Sequence, residues 1–314
     1  MPSYSGVWNL VSQYQAKGAG NWPSPPTTGI FAGGDSTNNV IQYITINTTG
    51  NATDFGDLPI AVQSASACGS TTRGVIAGGY APVPGSQINN INYITFASIG
   101  NAIDFGDLAG IRSDMGACNS ATRALFGGGS DGTLPGKNNI QYVTIASTGN
   151  TLSFGTLSTS KFGLTGCSSP TRGLFIGGSN GTTAFNVIEY VTIASTGNAV
   201  DFGDLLSTGS SLAACSSSTR GVIASSGLSP NSIQYVTIAS TGNAVSFGNL
   251  AVANVTEMGA ASSQLRAVFG GGNGGTNVMQ YVTIATTSNS IDFGDLIGIK
   301  NQYTAGCSNG NGGI

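Results

Sequence analysis

The sequence contains no histidine. That removes the commonest general base, the Ser-His-Asp and Cys-His arrangements and every imidazole metal ligand, and so disfavours most hydrolases. Charge is scarce too: Asp, Glu, Lys and Arg make up 7% of 314 residues, with ten basic side chains and a net charge of −3. So few cations supply no basic stripe for phosphates, which speaks against nucleic acid as a partner. No apolar run approaches the roughly 20 residues of a membrane span. The start, Met1-Pro-Ser-Tyr-Ser-Gly-Val-Trp8, lacks the basic region and apolar core of a signal peptide. The expectation is a soluble protein made in the cytoplasm, with no membrane partner. Cysteine is limited to five residues, an odd number at repeat-equivalent positions, which opposes a secreted disulfide framework and implies reduced thiols.

What is present is glycine, 49 residues of it, and repetition. The stretch Tyr190-Val-Thr-Ile-Ala-Ser-Thr-Gly-Asn-Ala-Val-Asp-Phe-Gly-Asp-Leu205 recurs in variant form five more times. Its tyrosine stands at positions 43, 93, 142, 190, 235 and 281, and a phenylalanine follows twelve residues later in every copy, from Phe55 to Phe293. A frame repeated six times argues for one repeat-built domain over residues 27–314 rather than two ordinary ones.

Each copy reads as four short strands. A continuous apolar run closed by small residues, as in Gly74-Val-Ile-Ala-Gly-Gly79, suits a strand covered on both faces. The tyrosine strand follows, then Ser-Thr-Gly-Asn, expected to be a tight hairpin with Gly and Asn in the left-handed conformation, then the phenylalanine strand. A small-residue strand such as Ala67-Cys-Gly-Ser70 leads through Thr72-Arg73-Gly74 into the next apolar run. From the last residue of the Gly-Gly motif to the tyrosine the gaps are 9, 14, 13, 12, 9 and 9 residues, whereas the other segments are nearly constant. Length variation therefore sits in one loop per copy, on the end of the sheet opposite the Ser-Thr-Gly-Asn turns. The chain opens on a second strand lacking its first and closes with Ala305-Gly-Cys307, a first strand lacking its second. The two ends complete one blade, so the fold class expected is all-β: a six-bladed β-propeller of four-stranded blades, closed by pairing of the C-terminal strand with the N-terminal blade.

Three sets of repeated polar residues invite chemical readings. Cys68, Cys118, Cys167, Cys215 and Cys307 form a ring interrupted by Ala261. Thiols around an axis can take a soft metal, but cysteine also serves as a small buried apolar residue, and packing is the expectation. Arg73, Arg123, Arg172, Arg220 and Arg266, with Thr28 in the sixth place, form a candidate anion ring; alternatively each guanidinium ties turn carbonyls or a neighbouring blade together. The pairs Asp54/Asp57, Asp104/Asp107, Asp201/Asp204 and Asp292/Asp295 suggest calcium or acid–base chemistry. Ser153 with Thr156 and Ser246 with Asn249 replace them in two copies, so turn hydrogen bonding is what the positions require. No catalytic residue, metal site or cofactor is expected.

Before the repeats, residues 1–26 carry both tryptophans, and Val7, Leu10, Val11 and Tyr14 fall at helical spacing. The segment either packs on its own domain or docks on a neighbour, with Trp8, Leu10, Tyr14 and Trp22 as the candidate anchor. Candidate interaction residues lie in the variable loops: Tyr80, Asn89, Lys137, Asn138 and Phe185, within the stretches 35–39, 80–89, 130–138 and 179–185.

The apolar run with Gly-Gly followed by a spaced tyrosine and second aromatic resembles the kelch repeat over residues 27–312, with phenylalanine where kelch has tryptophan and Ser225-Ser226 replacing one Gly-Gly. The wording Tyr-Val-Thr-Ile-Ala-Ser-Thr-Gly-Asn-Ala-x-Asp-Phe-Gly-Asp-Leu, and Gly6-Val-Trp-Asn-Leu10 near the start, resemble structural virion proteins of tailed bacteriophages, marine and cyanobacterial ones especially. That resemblance implies a non-enzymatic virion protein, a tail-fibre, knob or decoration component, oligomeric on the particle. Residues 1–26 would hold it to other virion proteins, and the loops would meet a host-surface glycan or protein. Two other classes stay open: a purely architectural decoration protein, and a propeller enzyme acting on host polysaccharide.

Overall fold

The computed structural model of the chain describes residues 27–34, 39–83, 85–225, 231–252, 256–273, 276–300 and 304–314. The anchor residues Trp8, Leu10, Tyr14 and Trp22, positions 35–38 of the first loop, and Ser226 lie outside them. Six four-stranded antiparallel sheets are arranged as a six-bladed β-propeller. Blade 2 is typical: inner strand Ser66–Gly69, second strand Arg73–Ala77, third strand Asn90–Thr95 and outer strand Ile103–Asp107. The inner strands lie against one another around the axis. In blade 1 the inner strand is Thr304–Ser308, which pairs antiparallel with Thr28–Gly33, Ile30 opposite Cys307, and closes the ring as expected.

The core lies in the six seams between blades. One seam packs Ile30, Ile41, Phe55 and Leu58 of blade 1 against Ile76 and Ile94 of blade 2, and the other five repeat the pattern. The second strands are buried on both faces because each is sandwiched between two seams, which is why they read as continuous apolar runs. The constant Tyr–Phe spacing has a mechanical basis. In each blade the register between third and outer strands shifts beside the tyrosine, leaving the phenylalanine as an extra residue on the outer strand, and blades 3 and 6 shift a second time nearer the variable end. The bulge turns Phe55 and its equivalents into the seam, where the ring meets the edge of the same blade's tyrosine at 5.8–6.0 Å between centroids.

The Ser-Thr-Gly-Asn segment departs from the expected tight hairpin. Strands Val40–Thr45 and Thr53–Asp57 are joined by a seven-residue link, and its glycine is nearly extended (φ +158° at Gly50, +154° at Gly149) rather than left-handed. The reason is that the link is built against the neighbouring blade. Asn101 Oδ1 accepts from the Asp57 amide at 3.0 Å, Gly100 N donates to Phe55 O, and Ala102 N donates to Asp57 O. The asparagine bond recurs at all six seams at 3.0–3.1 Å. Each link thus pairs with the outer strand of the preceding blade. A side chain at Gly56 would collide with the Gly100 backbone, which fixes the glycine of the Phe-Gly dipeptide.

Candidate functional site

The two ends of the propeller differ. At one end stand the turns between inner and second strands and the Ser-Thr-Gly-Asn links. Here the arginines do not converge on the axis. Each lies over the tyrosine of its own blade, 4.2–4.8 Å from the ring centroid, and donates to carbonyls of the next blade. Arg172 Nη1 bonds Ile238 O at 3.1 Å and Ala239 O at 2.8 Å, and Arg220 bonds Ile284 O and Ala285 O. The geometry matches the cross-blade alternative to an anion ring.

The cysteines also face the seams. A methyl at Gly74 would stand 3.1 Å from Cys307 Sγ, one at Gly221 would stand 2.9 Å from Cys167 Sγ, and one at Gly173 would collide with Cys118 Sγ. Each inner-strand thiol fills the space left by glycine, or by Ala124 and Ala267, on the next blade's second strand. Burial pushes the Cys68 and Cys167 thiols up to about 12, so they behave as apolar groups rather than thiolate ligands. In the Asp pairs, Asp54 accepts from the Gly56 amide at 3.1 Å on an exposed outer strand. Among the described residues no group of three or more Cys, Asp or Glu is placed to hold a metal.

The axis is sealed at this end. Ser168, Ser216, Ser262 and Ser308 form a ring in which Ser216, Ser262 and Ser308 hydroxyls donate to the preceding serine's carbonyl at 2.6–2.8 Å. Gly69 and Asn119 occupy the remaining two places and break that ring. Asn311 fills the gap: its Nδ2 donates to Gly69 O at 3.1 Å and its Oδ1 accepts from Asn119 Nδ2 at 3.2 Å. Gly312 and Gly313 then lie across the axis against the Ser168, Ser217 and Asn119 carbonyls, where no side chain fits. The sequence signal was the missing serine at two of six places, although nothing in the spacing shows what fills it.

The opposite end carries the variable loops and the links between blades. Both glycines of the Gly-Gly motif have positive φ, +61° at Gly78 and +114° at Gly79, because the link leaving the blade runs directly over them. Gly79 N donates to Arg112 O at 2.7 Å, and the same bond joins Gly34 to Val62, Gly129 to Lys161 and Gly178 to Gly209. Five of the links then make one left-handed residue before the inner strand: Ser64, Asp114, Gly163, Ser211 and Glu257, at φ +58° to +65°. Their peptides form a chain around the axis, Asp114 N to Ser64 O (3.0 Å), Gly163 N to Asp114 O (2.9 Å), Ser211 N to Gly163 O (2.7 Å), Glu257 N to Ser211 O and Thr304 N to Glu257 O. Four of these five are not glycine, and strain of this kind concentrates at sites held for a purpose. They form the mouth of an axial cavity of about 100 Å³. Asp114, which accepts from the Ser113 hydroxyl at 2.6 Å, has its carboxyl pKa raised by burial.

Around this mouth the longest loops, those of blades 2, 3 and 4, brace one another. Tyr80–Ala81 pairs with Ser86–Gln87 in blade 2, and Gln87 lies against Gly132 of blade 3. Leu134 of blade 3 lies against Gly181 of blade 4. Ser130-Asp131-Gly132-Thr133 and Ser179-Asn180-Gly181-Thr182 form matching side-chain-capped turns. Lys137 bonds Asp131 at 2.6 Å and, with Thr133, holds that carboxyl well below its usual range. Asn138 and Phe185 are half-buried, Asn89 O accepts from Leu108 N, and Tyr80 exchanges backbone bonds with Gln63. The five loop residues singled out in the sequence thus fall on three adjacent blades, as supports of the ridge rather than its tips.

Sequence reasoning missed charges outside the repeat positions. Arg112, Asp114, Asp131, Lys161, Glu189 and Glu257 all belong to the variable end. Buried Arg112 donates to Gly128 O and to Asn139 Oδ1 at 2.7 Å. Glu189 stands where four other blades have glutamine and blade 2 has Asn92; its Oε1 accepts from Ser158 N at 2.7 Å, and its Oε2 lies 2.6 Å from Lys161 Nζ, both side chains fully buried. Subtracting repeat-equivalent positions from the thirteen acids and ten bases would have found this set together with Lys17, Asp35, Lys137 and Lys300.

Fold and site together define a closed six-bladed β-propeller with one sealed, uniform end and one open, varied end. No model of a known protein family matches the sequence, and neither does any curated protein compared with it.

Proposed function

We propose that the chain is a non-enzymatic structural protein of a bacteriophage virion, a tail-fibre, knob or decoration component. Its propeller presents the variable end to a glycan or protein of the host surface, and residues 1–26 hold it to other virion proteins. The observation that carries the display reading is the segregation of irregularity: loops of different length, non-repeating charge and the axial opening share one end, while the other end repeats the same contacts. Side chains kept for assembly alone have no reason to gather on one end. The loops are also ordered in advance by their own turns and mutual contacts, which lowers the entropy lost on binding. The virion assignment is supported by the resemblance of the repeat wording to phage structural proteins.

The test replaces residues 130–136 and 179–184 with the short connections of other blades, in a chain still able to assemble. Particles carrying the replacement should adsorb to host cells at least tenfold more slowly; unchanged adsorption returns the protein to a purely architectural role. Deleting residues 1–26 should leave a folded propeller that no longer enters particles, and normal incorporation would sink the anchor. Imaging labelled particles gives its position.

A further inference from the structure

We infer that the axial cavity at the variable end binds one end of a neutral, hydroxyl-rich molecule, the terminal residue of a saccharide. The inference rests on the display reading and narrows its ligand. At the mouth the carboxyls of Asp114 and Glu257 stand on opposite blades and Ser211 on a third, while the buried Ser64 hydroxyl donates to the Asp114 carboxyl. Beneath them the inner strands turn the methyls of Ala67, Ala117, Ala214 and Ala260 toward the cavity, while Met115, Leu164, Leu212 and Met258 pack in the seams behind. A sugar has that same division: hydroxyls that donate to carboxylates and accept from serines, and C–H faces that pack on aliphatic groups.

Size and rigidity agree. A space of about 100 Å³ takes a few waters or one edge of a ring, so the rest of an oligosaccharide would lie outside, along the wall of the blade 2–4 loops. The rim is fixed before any ligand arrives, by its chain of peptide hydrogen bonds and left-handed residues. The Asp114 carboxyl already accepts from Ser113 and is held partly out of water, which suits it to sharing hydroxyl protons better than to drawing in a bare cation.

The test is ligand-observed saturation-transfer NMR on the full chain with methyl glycosides of glucose, galactose, mannose, rhamnose and N-acetylglucosamine. At least one should show transfer. Ala117→Leu, which fills the cavity from a half-buried wall position, should reduce it at least tenfold, and Asp114→Asn, which keeps a residue tolerant of left-handed backbone, should weaken it several-fold. Ile99→Ser at the uniform end should change nothing. Transfer from none of the five, transfer unaffected by both cavity variants, or a cavity responding only to calcium or methylammonium would overturn the inference. If loop replacement slows adsorption while the cavity stays silent, the display reading survives and this one falls; if both are silent, both fall.

Discussion

The uniform and variable ends of the propeller are built from the same backbone positions and use them in opposite ways. At the uniform end, one asparagine, one arginine and one glycine make the same bond at seam after seam, so the contact is written into every repeat. At the variable end the backbone contacts are equally regular: Gly-Gly amides meet link carbonyls, and left-handed residues follow one another around the axis. Their side chains, however, are Ser, Asp, Gly, Ser and Glu. Conformation is conserved by the repeat there while chemistry is released from it. A repeat protein can hold its architecture constant and still vary one surface, provided the varied side chains are not those that join the blades.

The comparison breaks most easily where a non-repeating residue has entered a seam. Lys161→Met should cost about 3–5 kcal/mol in denaturant unfolding by stranding Glu189 in the core, and adding Glu189→Gln, which restores the glutamine of four other blades, should recover most of it. Recovery of less than half would show that the pair does more than substitute for the repeat contact. Gly155→Ala drives a methyl into the Gly197 carbonyl and should cost about 2–4 kcal/mol, whereas Gly197→Ala, with open space around it, should stay within about 0.5 kcal/mol. Alanine at Gly248, where the methyl meets the Ser288 carbonyl, should cost the same as at Gly155 to within about 0.5 kcal/mol, whereas alanine at Gly56, held at φ +145°, should cost more.

Arg172→Met removes two cross-blade bonds and a cation–π contact, for an expected loss of about 2 kcal/mol. Asn311→Ala should cost about 1 kcal/mol, as the Gly69 carbonyl and Asn119 amide lose their partner. The smallest effect is a pH dependence. Burial raises the Asp114 pKa in the folded state, so the native protein binds the proton more tightly than the unfolded chain does. The charge penalty is therefore in force above the folded pKa and is relieved as pH falls toward the ordinary value of 3.8. Wild type should gain about 1–2 °C in thermal midpoint over Asp114→Asn between pH 7 and pH 4; parallel curves would remove Asp114 from the account.

The blades and their closure were legible because the information lies along one chain segment. Tyr-to-Phe spacing reports a bulged strand pair, and the split between residues 27 and 307 reports the closing blade. What lay between segments was not legible. Gly56 and Asn101 are 45 positions apart, and nothing in either copy says that the second will lie on the first. The Ser-Thr-Gly-Asn link was read by local turn chemistry and turned out to be shaped by the neighbouring blade. The arginines and cysteines could be assigned to repeat positions but not aimed, since facing the axis and facing a seam share one periodicity. At the variable end the loop lengths showed where irregularity begins. The axial rim escaped because Ser64, Asp114, Gly163, Ser211 and Glu257 share only a backbone angle.

The link that pairs with the preceding blade's outer strand bears on crowding. Phe55 O, Asp57 N and Asp57 O are the groups an outermost strand would offer to an extended segment of another molecule, and each is already bonded to Gly100, Asn101 or Ala102. A neighbouring propeller therefore finds these groups of the Thr53–Asp57 strand already paired. On the proposed display reading, copies kept apart in this way are separate heads, which is the condition for weak individual contacts to add up as avidity.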